Sequence, residues 1–221
     1  MRLLGAAALI VLLAAPATAQ DWAARCRAEA PRGVTAGCEK ALEQDPGNPE
    51  LHALLGEAYF AVSFYGEGLQ SLREAIAASN GAPEYRYRFA AYASLVNEYV
   101  QAADELELAV AQRPKDVKSW ALMADCYRYM KDDARALRAG RTAAELGDAA
   151  EAYALAARFA AGRGVARDPQ EELRWLERSA RGGYVAAMQD LVQLYKDGRP
   201  GIPADAGRQR YWDDAIRAAT K

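Results

Sequence analysis

The sequence repeats itself with a fixed period of about 34 residues, and this feature limits the folds open to the chain more than any other. Ala75 aligns with Ala109 and Ala143, and Tyr59 aligns with Tyr127 two periods later. A unit of this length holds two helices and cannot bury its apolar face alone, so neighbouring units must stack. The period therefore predicts an all-α fold, a right-handed α-solenoid of helix-turn-helix repeats.

The clearest copy of the repeat has large and small residues at helical spacing, followed by two alanines. Its residues are Trp120, Met123, Ala124, Tyr127, Ala136 and Ala143. This pattern resembles the tetratricopeptide repeat, whose first helix carries a tryptophan, a leucine, a glycine and a tyrosine. Three copies fit residues 49–150, at 49–82, 83–116 and 117–150. We assign residues 20–48 to an N-terminal capping helical hairpin.

Three positions depart from the repeat pattern. His52 and Arg86 stand in the slot that Trp120 occupies, and Gly140 replaces a large residue of the second helix. Each departure predicts looser packing, but none breaks the register. For His52, which is the only histidine, the alignment predicts a packing role rather than a catalytic or metal-binding one.

The period lengthens slightly in residues 151–221. A glycine, an apolar residue and an aspartate at positions 164, 165 and 168 recur at positions 201, 202 and 205. Trp175 in the following helix corresponds to the pair Tyr211 and Trp212. A helix, a glycine loop, an aspartate and a tryptophan-bearing helix resemble the Sel-one-like repeat. The resemblance assigns two such repeats to 151–221 and implies that the solenoid continues through them.

Residues 1–19 are typical of a signal peptide. Arg2 precedes an unbroken apolar run from Leu3 to Ala15, and a small-x-small sequence ends at Ala19. An uncleaved anchor is the alternative, but a membrane-spanning helix needs about 20 apolar residues and this run has 13. We therefore expect a mature chain that begins at Gln20, is exported to a bacterial periplasm and is not inserted in the membrane.

Two of the three cysteines are placed symmetrically about a turn. Cys26 and Cys38 each lie six residues from Arg32, which is flanked by a proline and a glycine. In an oxidising compartment this arrangement predicts a disulfide, and two buried thiols are the alternative. Cys126 has no partner left and lies within a helical pattern, so we expect it to be a buried structural thiol.

Composition excludes several classes of function. The chain has 28 basic and 30 acidic residues, and this lack of a basic excess argues against nucleic-acid binding. One histidine and three cysteines exclude a zinc site of several His and Cys ligands and leave few ways to build a Ser-His-Asp triad. We therefore expect no metal, no cofactor and no enzymatic activity.

The resemblance to the two repeat families implies a role in protein–protein interaction. Our leading hypothesis is a periplasmic scaffold or adaptor that binds a peptide or a protein surface in the concave groove of the solenoid. The alternative is a structural component of an envelope polysaccharide or peptidoglycan assembly complex. A hydrolase of the cysteine-rich Sel-one-like type is a third hypothesis, which the absence of cysteine from 151–221 weakens. The sequence names neither the partner nor the oligomeric state.

By resemblance to the family, one stripe on the first helix of each copy lines the groove. Residues 49–82 carry a net charge of −3 and residues 117–150 a net charge of +1, so the groove should be acidic at one end and mixed to basic at the other. This predicts an extended partner segment with a basic part and an apolar side chain, and a solvated charged face is the alternative. The predicted groove residues are Glu50, Glu57, Phe60, Glu84, Tyr87, Arg88, Lys118, Asp125 and Arg128.

Overall fold

The computed structural model describes residues 18–220, so the predicted signal peptide lies almost wholly outside the described residues. Between these limits the chain forms twelve α-helices, one short 3-10 helix at Ala30–Arg32 and no β-strand. The only β-type pairing in this range is an isolated bridge between Arg199 and Ile202. The prediction of an all-α repeat fold is therefore confirmed.

The helices pack in consecutive pairs. Each first helix packs against the helix that follows it, and neighbouring pairs then stack through α4 and α5, α6 and α7, α8 and α9, and α10 and α11. The bounds are α1 (Ala19–Glu29), α2 (Ala36–Gln44), α3 (Pro49–Ala61), α4 (Tyr65–Ala78), α5 (Pro83–Leu95), α6 (Tyr99–Gln112), α7 (Val117–Tyr129), α8 (Asp133–Leu146), α9 (Ala149–Ala161), α10 (Pro169–Arg181), α11 (Val185–Asp197) and α12 (Ala206–Ala219).

The turn inside each of three central helix pairs has the same backbone geometry. Ser63, Asn97 and Lys131 lie one repeat apart from each other and have φ angles of 66°, 65° and 61°. These φ angles are in the left-handed region, which residues other than glycine rarely adopt. The geometry of the turn is therefore repeated even where the residue type is not.

The slot held by His52, Arg86 and Trp120 makes one hydrogen bond in all three copies. In each case a side-chain N–H donates to a carbonyl of the loop that precedes the helix. The pairs are His52 with Pro46 at 2.8 Å, Arg86 with Gly81 at 2.9 Å and Trp120 with Pro114 at 2.9 Å. The other ring nitrogen of His52, Nδ1, lies 3.2 Å from Oε2 of Glu74. Three unlike side chains thus tie the same loop to the same helix.

The apolar core is divided into three clusters along the chain. The N-terminal cluster is formed by α1 to α3, the central one by α3 to α8, and the C-terminal one by α8 to α12. The largest fully buried side chains of the central cluster are Phe89, Leu72 and Leu106, and that of the C-terminal cluster is Trp175. Each cluster contacts its neighbours along the chain, as expected for a solenoid.

The predicted disulfide between Cys26 and Cys38 is present and fully buried. It joins α1 to α2 at the N-terminal end of the solenoid. Cys126 is also fully buried, and this burial raises the pKa of its thiol to about 11. A thiol with such a pKa stays protonated at neutral pH, which fits a structural role better than a reactive one.

Candidate functional site

An open cleft of about 770 Å³ lies between the C-terminal ends of α3 and α5. Its walls are largely apolar, because Phe60, Tyr65 and Tyr92 form a group of aromatic rings there. The ring centroid of Phe60 lies 4.7 Å from that of Tyr92 and 5.3 Å from that of Tyr65. Leu95 completes the wall with 71% of its surface exposed. The cleft can therefore cover a large apolar side chain.

The local sequence explains why these rings meet. Phe60 lies in the last turn of α3 and Tyr65 is the first residue of α4, so the left-handed turn at Ser63 returns one ring towards the other. Gly68 of α4 faces Phe60, and a Cβ atom on this glycine would lie 2.4 Å from the ring. Glycine at position 68 therefore leaves the space that the Phe60 ring occupies.

Charge in the predicted acidic end of the groove is paired between two helices. Arg88 of α5 donates to Oε2 of Glu50 at 2.6 Å and to Oε1 of Glu57 at 2.7 Å, both on α3. Burial opposes the positive charge of Arg88, but the hydrogen bonds with Glu57 and Glu50 outweigh it and raise the pKa of the guanidinium. The two glutamates are therefore not free negative charges.

A second charged group joins α7 to α9. Arg128 donates to the two oxygens of Glu151 at 3.0 and 2.7 Å and also pairs with Asp125. Glu151 is buried, and a Cβ atom on Gly140 would lie 2.5 Å from its Oε2. The space left by Gly140, for which the sequence predicted looser packing, is thus filled by the carboxylate of the next helix pair.

The structure places the nine predicted groove residues in several different environments. Glu57 and Phe60 line the cleft, and Arg88 holds Glu50 beside Glu57. The other five do not line the cleft: Glu84 pairs with Arg113 of α6 at 2.7 Å, Tyr87 is half-buried against the central core, Lys118 is exposed, and Asp125 and Arg128 belong to the charged group on α7.

Sequence reasoning predicted only Glu57 and Phe60 among the cleft residues, and it missed the three large side chains Tyr65, Tyr92 and Leu95. A signal for two of them was present in the repeat. Tyr65 recurs one repeat later as Tyr99, and Leu95 recurs as Tyr129, which is 63% exposed. The rings of Tyr99 and Tyr129 stack at 4.6 Å. Large apolar residues thus recur beside the turn within each pair, not only along the middle of the first helix.

Two absences hold for residues 18–220. In this range, none of the helices combines the length and the apolar character needed to cross a bilayer. Within the same limits, no group of three or more His, Cys, Asp or Glu side chains is arranged to hold a metal ion.

No protein-family model matches the chain, and no curated protein sequence does either. Several solved structures are similar to this chain in fold. A Sel1 repeat protein from Oxalobacter formigenes is 23% identical, with a TM-score of 0.60 over 91% of this chain and 88% of that one. PilF from Pseudomonas aeruginosa is 16% identical, with a TM-score of 0.63 over 91% and 88%. YrrB, a tetratricopeptide protein with an unusual peptide-binding site, is 18% identical, with a TM-score of 0.57 over 78% and 87%.

Sequence identities this low establish the fold alone. The neighbours include both of the repeat types that the sequence resembles, and the match to the Sel1 repeat protein extends over nearly the whole chain. The predicted likeness is therefore confirmed at the level of fold: the chain is an α-solenoid of the kind formed by tetratricopeptide and Sel1 repeat proteins.

Proposed function

We propose that this chain is a non-enzymatic scaffold that binds a segment of a partner protein in the cleft between α3 and α5. The exposed apolar wall of that cleft carries the proposal. Leu95 is 71% exposed and Tyr65 is 46% exposed, next to the rings of Phe60 and Tyr92. Grouped apolar side chains of this kind mark interaction sites, because covering them removes apolar surface from water.

The chemistry of the cleft favours a partner segment that inserts an aliphatic or aromatic side chain. Among the described residues, Glu57 is the only charged one that lines the cleft, and Arg88 already pairs with its carboxylate. Asn97, which is exposed at the rim, can hydrogen-bond the main chain of an extended segment. The similar fold of YrrB, a protein with a peptide-binding site, supports the proposal by analogy.

The surroundings of the most reactive side chains support a non-enzymatic role. Both ring nitrogens of His52 face structural neighbours, the carbonyl of Pro46 and the carboxylate of Glu74. Cys126 is buried with a raised thiol pKa. Neither side chain is placed to act on a substrate.

A peptide-display selection on the purified mature chain tests the cleft. We expect the selected peptides to share a large apolar residue and to lose affinity by about tenfold or more in Leu95→Asp, because a bound apolar side chain would then meet a charge. Leu108→Asp is the matched control, since Leu108 is an exposed leucine of α6 outside the cleft. Fluorescence anisotropy of labelled peptides gives the dissociation constants.

The control variant should bind the peptides as the parent chain does. Equal affinity of the parent and Leu95→Asp would place the binding site elsewhere, and a selection that enriches no peptide would contradict the proposal. Circular dichroism spectra of both variants should match that of the parent, because both leucines are exposed.

We further propose that the chain works in a bacterial periplasm after removal of residues 1–19. The apolar run that ends in a small-x-small site supports export, and a buried Cys26–Cys38 disulfide suits an oxidising compartment. Intact-mass analysis of the native protein is expected to show a chain that begins at Gln20 and gains two hydrogen atoms on reduction. A chain that retains Met1, or one whose mass does not change on reduction, would count against this proposal.

A further inference from the structure

A second cleft, of about 430 Å³, lies between α9, α10 and α11. It contains none of the residues that line the cleft between α3 and α5. Its floor is aliphatic, and three of the four lining residues of α9 are alanines, so that a trough is left between the helices. The floor residues are Ala156, Ala157, Ala160, Leu176 and Leu194.

Two carboxylates stand at the edge of this trough. Asp190 and Asp197 lie seven residues apart on α11 and therefore on one face of the helix, and both are exposed. The Tyr153 hydroxyl donates to Oδ2 of Asp190 at 2.8 Å, and the Gln193 amide donates to Asp197. These neutral donors orient the carboxylates without cancelling their charge.

Among the described residues that line this cleft, one is basic, and its charge is neutralised within the wall. Arg199 pairs with Glu172, which is buried. In the described part of the chain, no lysine or arginine forms an ion pair with Asp190 or Asp197. The cleft therefore combines an aliphatic floor with two uncompensated negative charges at its edge.

We propose that this cleft takes the side chain of a lysine or arginine from a bound protein segment. Such a side chain has an aliphatic stem that covers apolar surface and a cationic head that stays near water. The stem would lie on Ala156, Ala157 and Ala160, and the head would reach either Asp190 or Asp197, which lie about 10 Å apart along α11. Both parts of the cleft are then matched, whereas an aliphatic side chain leaves the carboxylates unused and an anionic one is repelled.

This site goes beyond the proposed function, and it can exist whether or not the cleft between α3 and α5 binds a segment. Two blocked tripeptides test it, acetyl-alanyl-lysyl-alanine amide and the same peptide with norleucine in place of lysine. Norleucine keeps an aliphatic stem and lacks the charge. Binding is followed by chemical-shift changes in a ¹⁵N-labelled mature chain, at the amides of Ala156, Ala157 and Leu194.

We expect the lysine peptide to shift these amides and to bind about threefold more tightly than the norleucine peptide, because one exposed ion pair is gained. The double variant Asp190→Asn and Asp197→Asn should bind the lysine peptide about threefold more weakly than the parent, because neither position then offers a carboxylate. Asp214→Asn is the matched control, since Asp214 is an exposed aspartate of α12 outside the cleft. Ala157→Met, which fills the trough, should also weaken binding.

Three results would overturn the proposal. One is equal affinity for the lysine and norleucine peptides, which would make the trough an apolar site. Another is unchanged lysine-peptide binding in the folded double variant, as judged by a dispersed amide spectrum. The third is a titration in which other amides shift until the peptide saturates its site, while the three named amides do not shift. None of these results bears on the peptides selected against the first cleft.

Discussion

Trp175→Ala is expected to lower the unfolding free energy of the C-terminal half of the solenoid by about 3–5 kcal/mol. Trp175 is 1% exposed and is the largest fully buried side chain of the C-terminal cluster. Its indole N–H donates to Oε2 of Glu171 at 3.0 Å, and the guanidinium of Arg174 lies 5.0 Å from the ring centroid. Alanine would lose this burial and leave a cavity that the helix pairs on either side can fill only in part.

The loss should be local, because each cluster of a solenoid depends on its neighbours rather than on the whole chain. We expect urea denaturation of Trp175→Ala to separate into two steps, with amides of α9 to α12 losing protection from hydrogen exchange first. Trp22→Ala in the N-terminal cluster is the control, since Trp22 is only half-buried on α1. A single transition, or equal loss of protection in α3 to α8, would show that the halves unfold as one unit.

Gly56→Ala and Gly66→Ala are expected to change stability in opposite directions. A Cβ atom on Gly56 of α3 would lie 2.8 Å from the Gly68 carbonyl oxygen and 2.8 Å from Cγ of Leu72, so α3 and α4 would have to separate. We expect a loss of about 1–3 kcal/mol, because overpacking outweighs the better helix propensity of alanine. A Cβ atom on Gly66, in the first turn of α4, has no neighbour within 4 Å.

For Gly66→Ala we therefore expect a gain of up to about 1 kcal/mol. Equilibrium urea denaturation, followed by circular dichroism, measures both variants against the parent chain. The two substitutions are chemically identical and lie in the same helix pair, so only their surroundings differ. A loss in both variants, or a gain in both, would show that the close approach of α3 and α4 does not set the stability of this pair.

The sequence predicted one groove that binds both an apolar and a basic part of a partner segment. In our proposals, these two parts bind in two separate clefts. The charge pattern predicted a partner segment with a basic part and an apolar side chain, bound along the first helices of residues 49–150. In the structure, Arg88 pairs with both Glu50 and Glu57 and offsets one of their two negative charges, and the cleft beside them is mainly apolar. Uncompensated carboxylates occur instead on α11, where Asp190 and Asp197 face an aliphatic trough.

The fold could be predicted from the sequence because it follows from local helix-start residues and from the repeat period. Proline in the first turn of α3, α5 and α10 and aspartate at the N-cap of α10 and α12 mark where helices begin. The fixed repeat period then requires stacked pairs, since one pair cannot bury its own apolar face. The disulfide could be predicted for the same reason, because Cys26 and Cys38 lie on the two helices of one short hairpin.

The pairing of charges and the positions of the clefts depend on contacts between helix pairs, which the sequence does not reveal. The partners of Arg88 are 31 and 38 residues away, and Glu151 reaches the space at Gly140 from the next pair. A repeat pattern states which face a residue occupies, but not which side chain of a neighbouring pair neutralises or covers it. For this reason the sequence by itself determined the helices, their pairing and the disulfide, while only the tertiary structure decided which charges are free and where the clefts lie.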